Sequence, residues 1–150
     1  MKDYLDKLKS ELKRTEHLFY VSLKYTRTVD VIRSVIQRLI NAFDAGMEGI
    51  LKKKQRRKKT LEIPEQPRKR CEVIKELFAD DKELINFIDF YLNLRNIIQA
   101  KYDKAHEYRR NVKMITHLGP ENDLDVNIDL LLEYYNRAKK FEEYIKEKLG

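Results

Sequence analysis

The apolar residues between positions 28 and 59 recur at alternating intervals of three and four, a pattern typical of a helix with one buried face. They are Val29, Ile32, Ile36, Leu39, Ile40, Phe43, Met47 and Ile50. Thr28 is a suitable N-cap, and Asp30 places a negative charge in the first turn, where the helix dipole favours it. The spacing therefore predicts one long helix over residues 28–59, whose last two turns project beyond the rest of a helical bundle.

Four further stretches share this helical periodicity. They cover about residues 3–25, 68–78, 81–108 and 127–149. Pro64 and Pro67 prevent the long helix from continuing directly into the next one. The pattern predicts an all-α fold, an up-down bundle of about four long helices and one short helix, in a single domain over residues 1–150.

Residues 109–128 depart from the helical pattern. Apolar or β-branched residues occupy every second position in two short runs, and they are Val112, Met114, Thr116 and Leu118 followed by Leu124, Val126 and Ile128. A turn-forming sequence, Gly-Pro-Glu-Asn-Asp at 119–123, separates the two runs. The alternation favours a small β-hairpin at about 111–128. A ragged helix end followed by a loop is the alternative.

The distribution of charge narrows the choice of partner. The 150 residues include 32 Lys and Arg against 25 Asp and Glu, which gives a formal net charge of +7. Residues 1–70 hold 19 basic and 9 acidic side chains, whereas residues 71–150 hold 13 and 16. This polarity favours RNA or another nucleic acid as a partner at one end of the molecule. It is also compatible with a homodimer in which unlike ends meet.

The strongest concentration of positive charge is residues 52–59, here named the basic cluster. Its cations are Lys52, Lys53, Lys54, Arg56, Arg57, Lys58 and Lys59. Because neighbouring like charges repel each other on a helix, a sequence selected only for stability should avoid such a run. One interpretation is a phosphate-binding patch, to which Arg68, Lys69 and Arg70 would add if the chain folds back. The other is a solvated helix end in a charge-rich protein.

The sequence lacks the residue patterns that form disulfides, metal sites and glycine-rich phosphate loops. One cysteine, Cys71, permits neither an intrachain disulfide nor a cysteine metal cluster, although Arg70 beside it could lower its pKa. The three histidines lack metal-binding spacing, and there is no glycine-rich phosphate loop. We therefore expect no metal and no cofactor. Because no apolar run approaches 18 residues and no signal-peptide pattern is present, we expect no membrane association and a cytoplasmic location.

Arg95 interrupts the apolar seam of the predicted helix over residues 81–108, between Tyr91 and Ile98. An unpaired charge in a buried seam is costly. We therefore expect an ion pair with Asp44 or Glu48, or a position that faces a dimer partner or a ligand.

Arg110 and Asn111 are followed after five more residues by His117. This segment, Arg-Asn-Val-Lys-Met-Ile-Thr-His, resembles the Arg-x(4–6)-His motif of the HEPN family, whose first x is usually Asn, Asp or His. HEPN domains are small helical bundles, often dimeric, and many are metal-independent ribonucleases or RNA-binding relatives. The resemblance implies catalytic roles, with Arg110 stabilising the phosphate, His117 acting as acid and base, and Asn111 orienting the substrate.

The predicted hairpin determines how far apart the residues of the HEPN-like motif lie. In a strand, Arg110 and His117 would lie about 23 Å apart, whereas in a helix they would be about 10 Å apart on one face. We therefore expect a small, non-catalytic RNA-binding protein first and a metal-independent endoribonuclease second. An interaction module that docks an acidic protein or a second copy of itself is the third interpretation.

Overall fold

Three strands interrupt a chain that is otherwise helical in the computed structural model, which describes residues 2–149. The helices are α1 (Lys2–His17), α2 (Leu23–Tyr25), α3 (Val29–Arg57), α4 (Pro67–Leu77), α5 (Lys82–Gln99) and α6 (Ile128–Leu149). The strands are β1 (Lys101–Ala105), β2 (Lys113–Gly119) and β3 (Asn122–Asn127). A π-helical segment, Leu18–Ser22, joins α1 to α2. The fold is mostly helical, as expected, but its small sheet means that it is not purely all-α.

Helix α3 is the predicted long helix, and its apolar stripe is buried as expected. The Thr28 hydroxyl accepts a hydrogen bond of 3.4 Å from the Val31 backbone N–H, so the predicted N-cap is confirmed. The helix ends at Arg57, where the Lys58 N–H donates to the Lys54 carbonyl. At 1.5 Å per residue α3 is about 44 Å long.

Two glycines of α3 lie where neighbouring helices come closest. A Cβ added at Gly46 would be 2.7 Å from Cζ of Phe141 on α6. A Cβ at Gly49 would be 3.0 Å from Cβ of Tyr4 on α1. Phe141 also stacks on Phe43, with ring centroids 4.3 Å apart. The absence of side chains at both glycines therefore sets how closely α3 packs against α1 and α6.

The sheet has the order β1-β2-β3, with antiparallel neighbours. Strands β2 and β3 form the predicted hairpin, and the buried side chains of Met114, Thr116 and Val126 turn its inner face toward the helices. The expectation that a helix continues to Tyr108 was wrong, because α5 ends at Gln99 and β1 follows. The hydrogen bonds that β1 makes with β2 replace those that a longer helix would have made.

One continuous hydrophobic core draws on all six helices and on the inner face of the sheet. Its centre is an aromatic group contributed by α3, α5 and α6, consisting of Phe43, Phe87, Phe90, Tyr91, Phe141 and Tyr144. Within residues 2–149, no helix has both the length and the apolar character needed to cross a membrane.

Candidate nucleic-acid interface

The basic cluster occupies the last turns of α3 and the residues immediately after them. The expectation that the last two turns project beyond the bundle was wrong for the turn that contains Lys53 and Lys54. Lys53 and Lys54 are half-buried, and the Lys53 ammonium donates a hydrogen bond to the Lys148 carbonyl near the end of α6. Gln55 donates to the Leu61 carbonyl at 2.9 Å, which holds the following segment against the helix end. The basic cluster is therefore a fixed part of the surface, and most of its cations remain exposed.

The cations of the basic cluster have no acidic partner within the described part of the chain. No carboxylate of residues 2–149 lies within 4.0 Å of their charged nitrogens. The cations that do form such pairs lie elsewhere, and they are Arg14, Arg38, Arg70, Lys75, Lys104, Lys113, His117, Lys139 and Lys146. Ion pairing is thus common in this protein but does not extend to the basic cluster.

A pocket of about 170 Å³ lies beside the basic cluster, between the ends of α3 and α6 and the corner that joins α4 to α5. We name it the α3–α6 pocket. Its lining residues are Ile50, Lys53, Lys54, Arg57, Phe78, Asp81, Tyr144, Lys148 and Leu149. The four from α3 fall at positions i, i+3, i+4 and i+7, so helical geometry places them on one face.

Among the described residues, four cations line the α3–α6 pocket against one carboxylate, that of Asp81, which is already engaged by two hydrogen bonds. Asp81 Oδ1 accepts from the Leu84 N–H at 3.0 Å and caps α5. Asp81 Oδ2 accepts from the Tyr144 hydroxyl at 2.6 Å. Burial, followed by this hydrogen bond, raises the pKa of Tyr144 well above its usual range, so the hydroxyl keeps its proton. The pocket therefore favours an anionic ligand.

Two aromatic rings form apolar walls between these cations. The Lys54 ammonium lies 5.6 Å from the centroid of the Phe78 ring, and the Lys148 ammonium lies 5.4 Å from that of Tyr144. Phe78 is half-buried, so part of its ring faces the pocket, whereas Tyr144 is almost fully buried. Sequence reasoning found the basic cluster but missed this pocket, because its walls come from separate segments and no local pattern joins them.

The second group of predicted phosphate ligands, Arg68, Lys69 and Arg70, lies in the first turn of α4, beside a part of α3 that precedes the basic cluster. Arg70 makes a 3.4 Å ion pair with Asp44, and Arg68 donates to the Asn96 side chain at 2.8 Å. Lys69 is exposed between them. Because Asp44 precedes Lys52 by eight residues, this group is displaced by about 12 Å along the helix axis. The structure therefore does not bring Arg68 and Arg70 into the basic cluster.

Arg95 belongs to a half-buried polar group around Asp44. The Tyr91 hydroxyl donates to Asp44 Oδ1 at 2.6 Å, and an Arg95 guanidinium nitrogen lies 3.5 Å from the same hydroxyl. None of the ion pairs within residues 2–149 includes Arg95, so the expected ion pair with Asp44 or Glu48 is not formed, and the Tyr91 hydroxyl lies between Arg95 and Asp44. Burial raises the pKa of Asp44, although the Tyr91 hydrogen bond and Arg70 oppose the change.

Cys71 lies beside this polar group and is buried. Burial first, and the nearby Asp44 charge second, raise the pKa of its thiol to about 11. The positive charge of Arg70 acts in the opposite direction but does not outweigh them. The net pKa of Cys71 is therefore raised and not lowered, and the buried thiol has the character of a small apolar side chain.

The residues that carry the HEPN resemblance are not brought together. Arg110 and Asn111 are exposed in the turn before β2, where they line a shallow depression with Lys113 and Asp125. His117 lies four residues after Lys113 along β2, about 13 Å away at the rise of a strand. It borders a different depression.

His117 is held on the outer face of the sheet by carboxylates from both neighbouring strands. Its Nδ1 lies 2.7 Å from Asp123 Oδ1 on β3, and its Nε2 lies 2.8 Å from Asp103 Oδ2 on β1. The hydrogen bond with Asp123, followed by that with Asp103, raises the pKa of His117. The imidazolium form can donate through both nitrogens at once, so this arrangement links the three strands.

Comparisons with protein-family models, curated proteins and solved structures return no match to this chain. The HEPN resemblance therefore rests on residues 110–117 and on the size of the helical bundle. In the part of the chain that the structure describes, no group of three His, Cys, Asp or Glu side chains is placed to hold a metal ion.

Proposed function

We propose that this protein binds nucleic acid, RNA in the first place, and does so without cleaving it. The observation that carries the proposal is the basic cluster, whose cations have no carboxylate partner within 4.0 Å among residues 2–149. Unpaired cations on a fixed surface can release the counterions of a phosphate backbone without first breaking an internal ion pair. Contacts of this kind supply affinity and orientation but little sequence preference.

The helix dipole offers a competing explanation for the position of the basic cluster. The carboxyl ends of α3 and α6 attract cations, and Lys53 indeed donates to a carbonyl of α6. This stabilisation falls off beyond the last turn of a helix. Lys58 and Lys59 follow the end of α3, and Lys52 lies before its last turn, so the dipole accounts for only part of the cluster.

The arrangement around His117 favours binding over cleavage. A general acid or base needs a ring nitrogen within reach of the ribose hydroxyl or the leaving oxygen. Both nitrogens of His117 are instead engaged by Asp103 and Asp123, and Arg110 lines a separate depression. An endoribonuclease built on these residues would need to rearrange the outer face of the sheet.

Fluorescence anisotropy with a labelled single-stranded RNA tests the proposal. In the first variant Lys52, Arg56, Lys58 and Lys59, all exposed, are changed to Gln. The control variant carries Gln at Lys7, Lys9, Lys13 and Lys24, which removes the same charge from exposed positions near the amino end. Lys53 is left in place because of its contact with α6.

The expected result is a loss of affinity in the first variant alone. Each phosphate contact on a single strand contributes about 0.7 to the slope of log K against log salt, so four lost contacts should reduce the slope by about 3. The control variant should keep most of the slope. If the wild type does not bind RNA even at low salt, the proposal is wrong, and the basic cluster is a solvated helix end or a protein-docking surface. Equal losses in both variants would also contradict it.

A further inference from the structure

The α3–α6 pocket is of the size of a single aromatic ring. Its volume is about 170 Å³, and a cavity of about 150 Å³ is known to accommodate benzene. It opens beside the basic cluster and shares Lys53, Lys54 and Arg57 with it.

The lining of the α3–α6 pocket combines apolar surface with cations in a way that constrains the ligand. Ile50, Phe78 and Leu149 provide surface for a flat apolar group. Lys54 and Arg57, one helical turn apart, provide positive charge beside it. A neutral ring would leave the cations without a partner, and inorganic phosphate would leave the Phe78 ring unused.

Charge complementarity identifies the group that satisfies both requirements. Of the described lining residues of the α3–α6 pocket four are cations, and Asp81, the one acidic residue among them, is already hydrogen-bonded to Tyr144 and to the backbone of α5. Taking RNA binding by the basic cluster as given, we infer that the pocket receives one unpaired nucleotide of a single strand. The base packs against Phe78, and the adjoining phosphate contacts Lys54, Arg57 and Lys148.

This arrangement gives the protein a preference for single-stranded over double-stranded RNA. In a duplex each base is stacked between its neighbours and cannot offer its face to Phe78. Base–aromatic stacking is tolerant of sequence because every base has such a face. Its loss corresponds to a decrease in affinity of about 5- to 150-fold. The basic cluster alone would bind the phosphates of either form.

The test compares Phe78→Leu with Phe19→Leu. Both phenylalanines are half-buried and pack on the core, but Phe19 lies in the π-helical segment, away from the α3–α6 pocket. Anisotropy is measured with an oligouridine of about twelve nucleotides and with an RNA duplex of matched length. Circular dichroism establishes that each variant is folded.

Phe78→Leu should weaken binding of the single strand about tenfold while leaving duplex binding and the salt slope unchanged. Phe19→Leu should leave both unchanged. If the wild type binds single strand and duplex equally and Phe78→Leu has no effect, the pocket inference is overturned while RNA binding stands. If the wild type binds neither RNA, the proposed function itself has failed.

Competition with small molecules provides a second test that does not depend on a variant. Uridine monophosphate, uridine and inorganic phosphate are each titrated against the bound oligouridine with the wild-type protein. Because the α3–α6 pocket offers both a ring and cations, the monophosphate should compete at lower concentration than either of the others. If inorganic phosphate competes as well as the monophosphate, the ring is not bound and the inference is overturned.

Discussion

The Tyr144 hydroxyl donates a 2.6 Å hydrogen bond to Asp81, the residue whose other carboxylate oxygen caps α5. This contact joins α6 to the start of α5 at the wall of the α3–α6 pocket. It also occupies one oxygen of the Asp81 carboxylate, which lines the pocket. The same hydrogen bond therefore stabilises the fold and preserves the positive character of the pocket.

Tyr144→Phe should destabilise the protein and weaken RNA binding. Loss of a buried hydrogen bond to a carboxylate costs about 1.5 kcal/mol, which urea denaturation can measure. The freed Asp81 oxygen can then pair with a cation of the α3–α6 pocket and compete with a phosphate for it. Tyr20→Phe is the control, because Tyr20 is 67% exposed and makes no such contact. Unchanged stability in Tyr144→Phe would show that the hydrogen bond contributes nothing to the folded state.

Gly46→Ala should destabilise the protein even though alanine favours helix. The new methyl group would meet Cζ of Phe141 at 2.7 Å and push apart the stacked pair that Phe141 forms with Phe43. Overpacking of this kind costs about 1–3 kcal/mol, against about 1 kcal/mol gained in helix propensity. A net loss of about 1 kcal/mol is expected by urea denaturation. Gly119→Ala, where a Cβ meets nothing within 4 Å, is the matched control. A more stable Gly46→Ala protein would contradict this account.

The pKa of His117 should lie above its ordinary value of about 6.5. Because folding raises this pKa, the imidazolium contributes stability below about pH 6.5, and the contribution is lost as the pH rises through the raised value. The stability difference between wild type and His117→Gln should therefore shrink as the pH rises above about 6.5. Asp103→Asn should lower the His117 pKa measured by NMR. If the stability difference between wild type and His117→Gln grew with pH instead, folding would lower the pKa of His117 and not raise it.

The protein should not cleave RNA through His117. Incubation of labelled RNA with the wild type and with His117→Ala should give the same product pattern, since both ring nitrogens of His117 are held by carboxylates. Gel electrophoresis in the presence of a chelator checks this expectation. Cleavage that is present in the wild type and disappears in His117→Ala would instead favour the HEPN-like endoribonuclease.

Elements with a local signal could be predicted from the sequence. The periodicity of α3 and its Thr28 cap lie within the helix itself, and the β2–β3 hairpin has both alternation and a turn. Strand β1 was missed because Tyr102 and Ala105 continue the helical spacing of α5. What makes residues 101–105 a strand is their pairing with β2, which is a non-local interaction.

The candidate site also has one part that the sequence predicts and one part that only the folded chain shows. The basic cluster is contiguous, so composition alone revealed it. The α3–α6 pocket depends on Phe78 and Tyr144, which are distant in sequence and meet only in the folded chain. The pairing of Arg70 with Asp44 is equally non-local, and it removes Arg70 from a group that sequence alone placed with the basic cluster.

Mapping the RNA contact by NMR shows directly whether the basic cluster and the α3–α6 pocket bind RNA. Backbone amide shifts of the isotope-labelled protein are followed during titration with the oligouridine. If RNA binds as proposed, the largest changes fall at the end of α3, around Phe78 and in the last turn of α6, and they diminish as salt rises. Changes concentrated instead around Arg110 and His117, with the end of α3 unaffected, would contradict it.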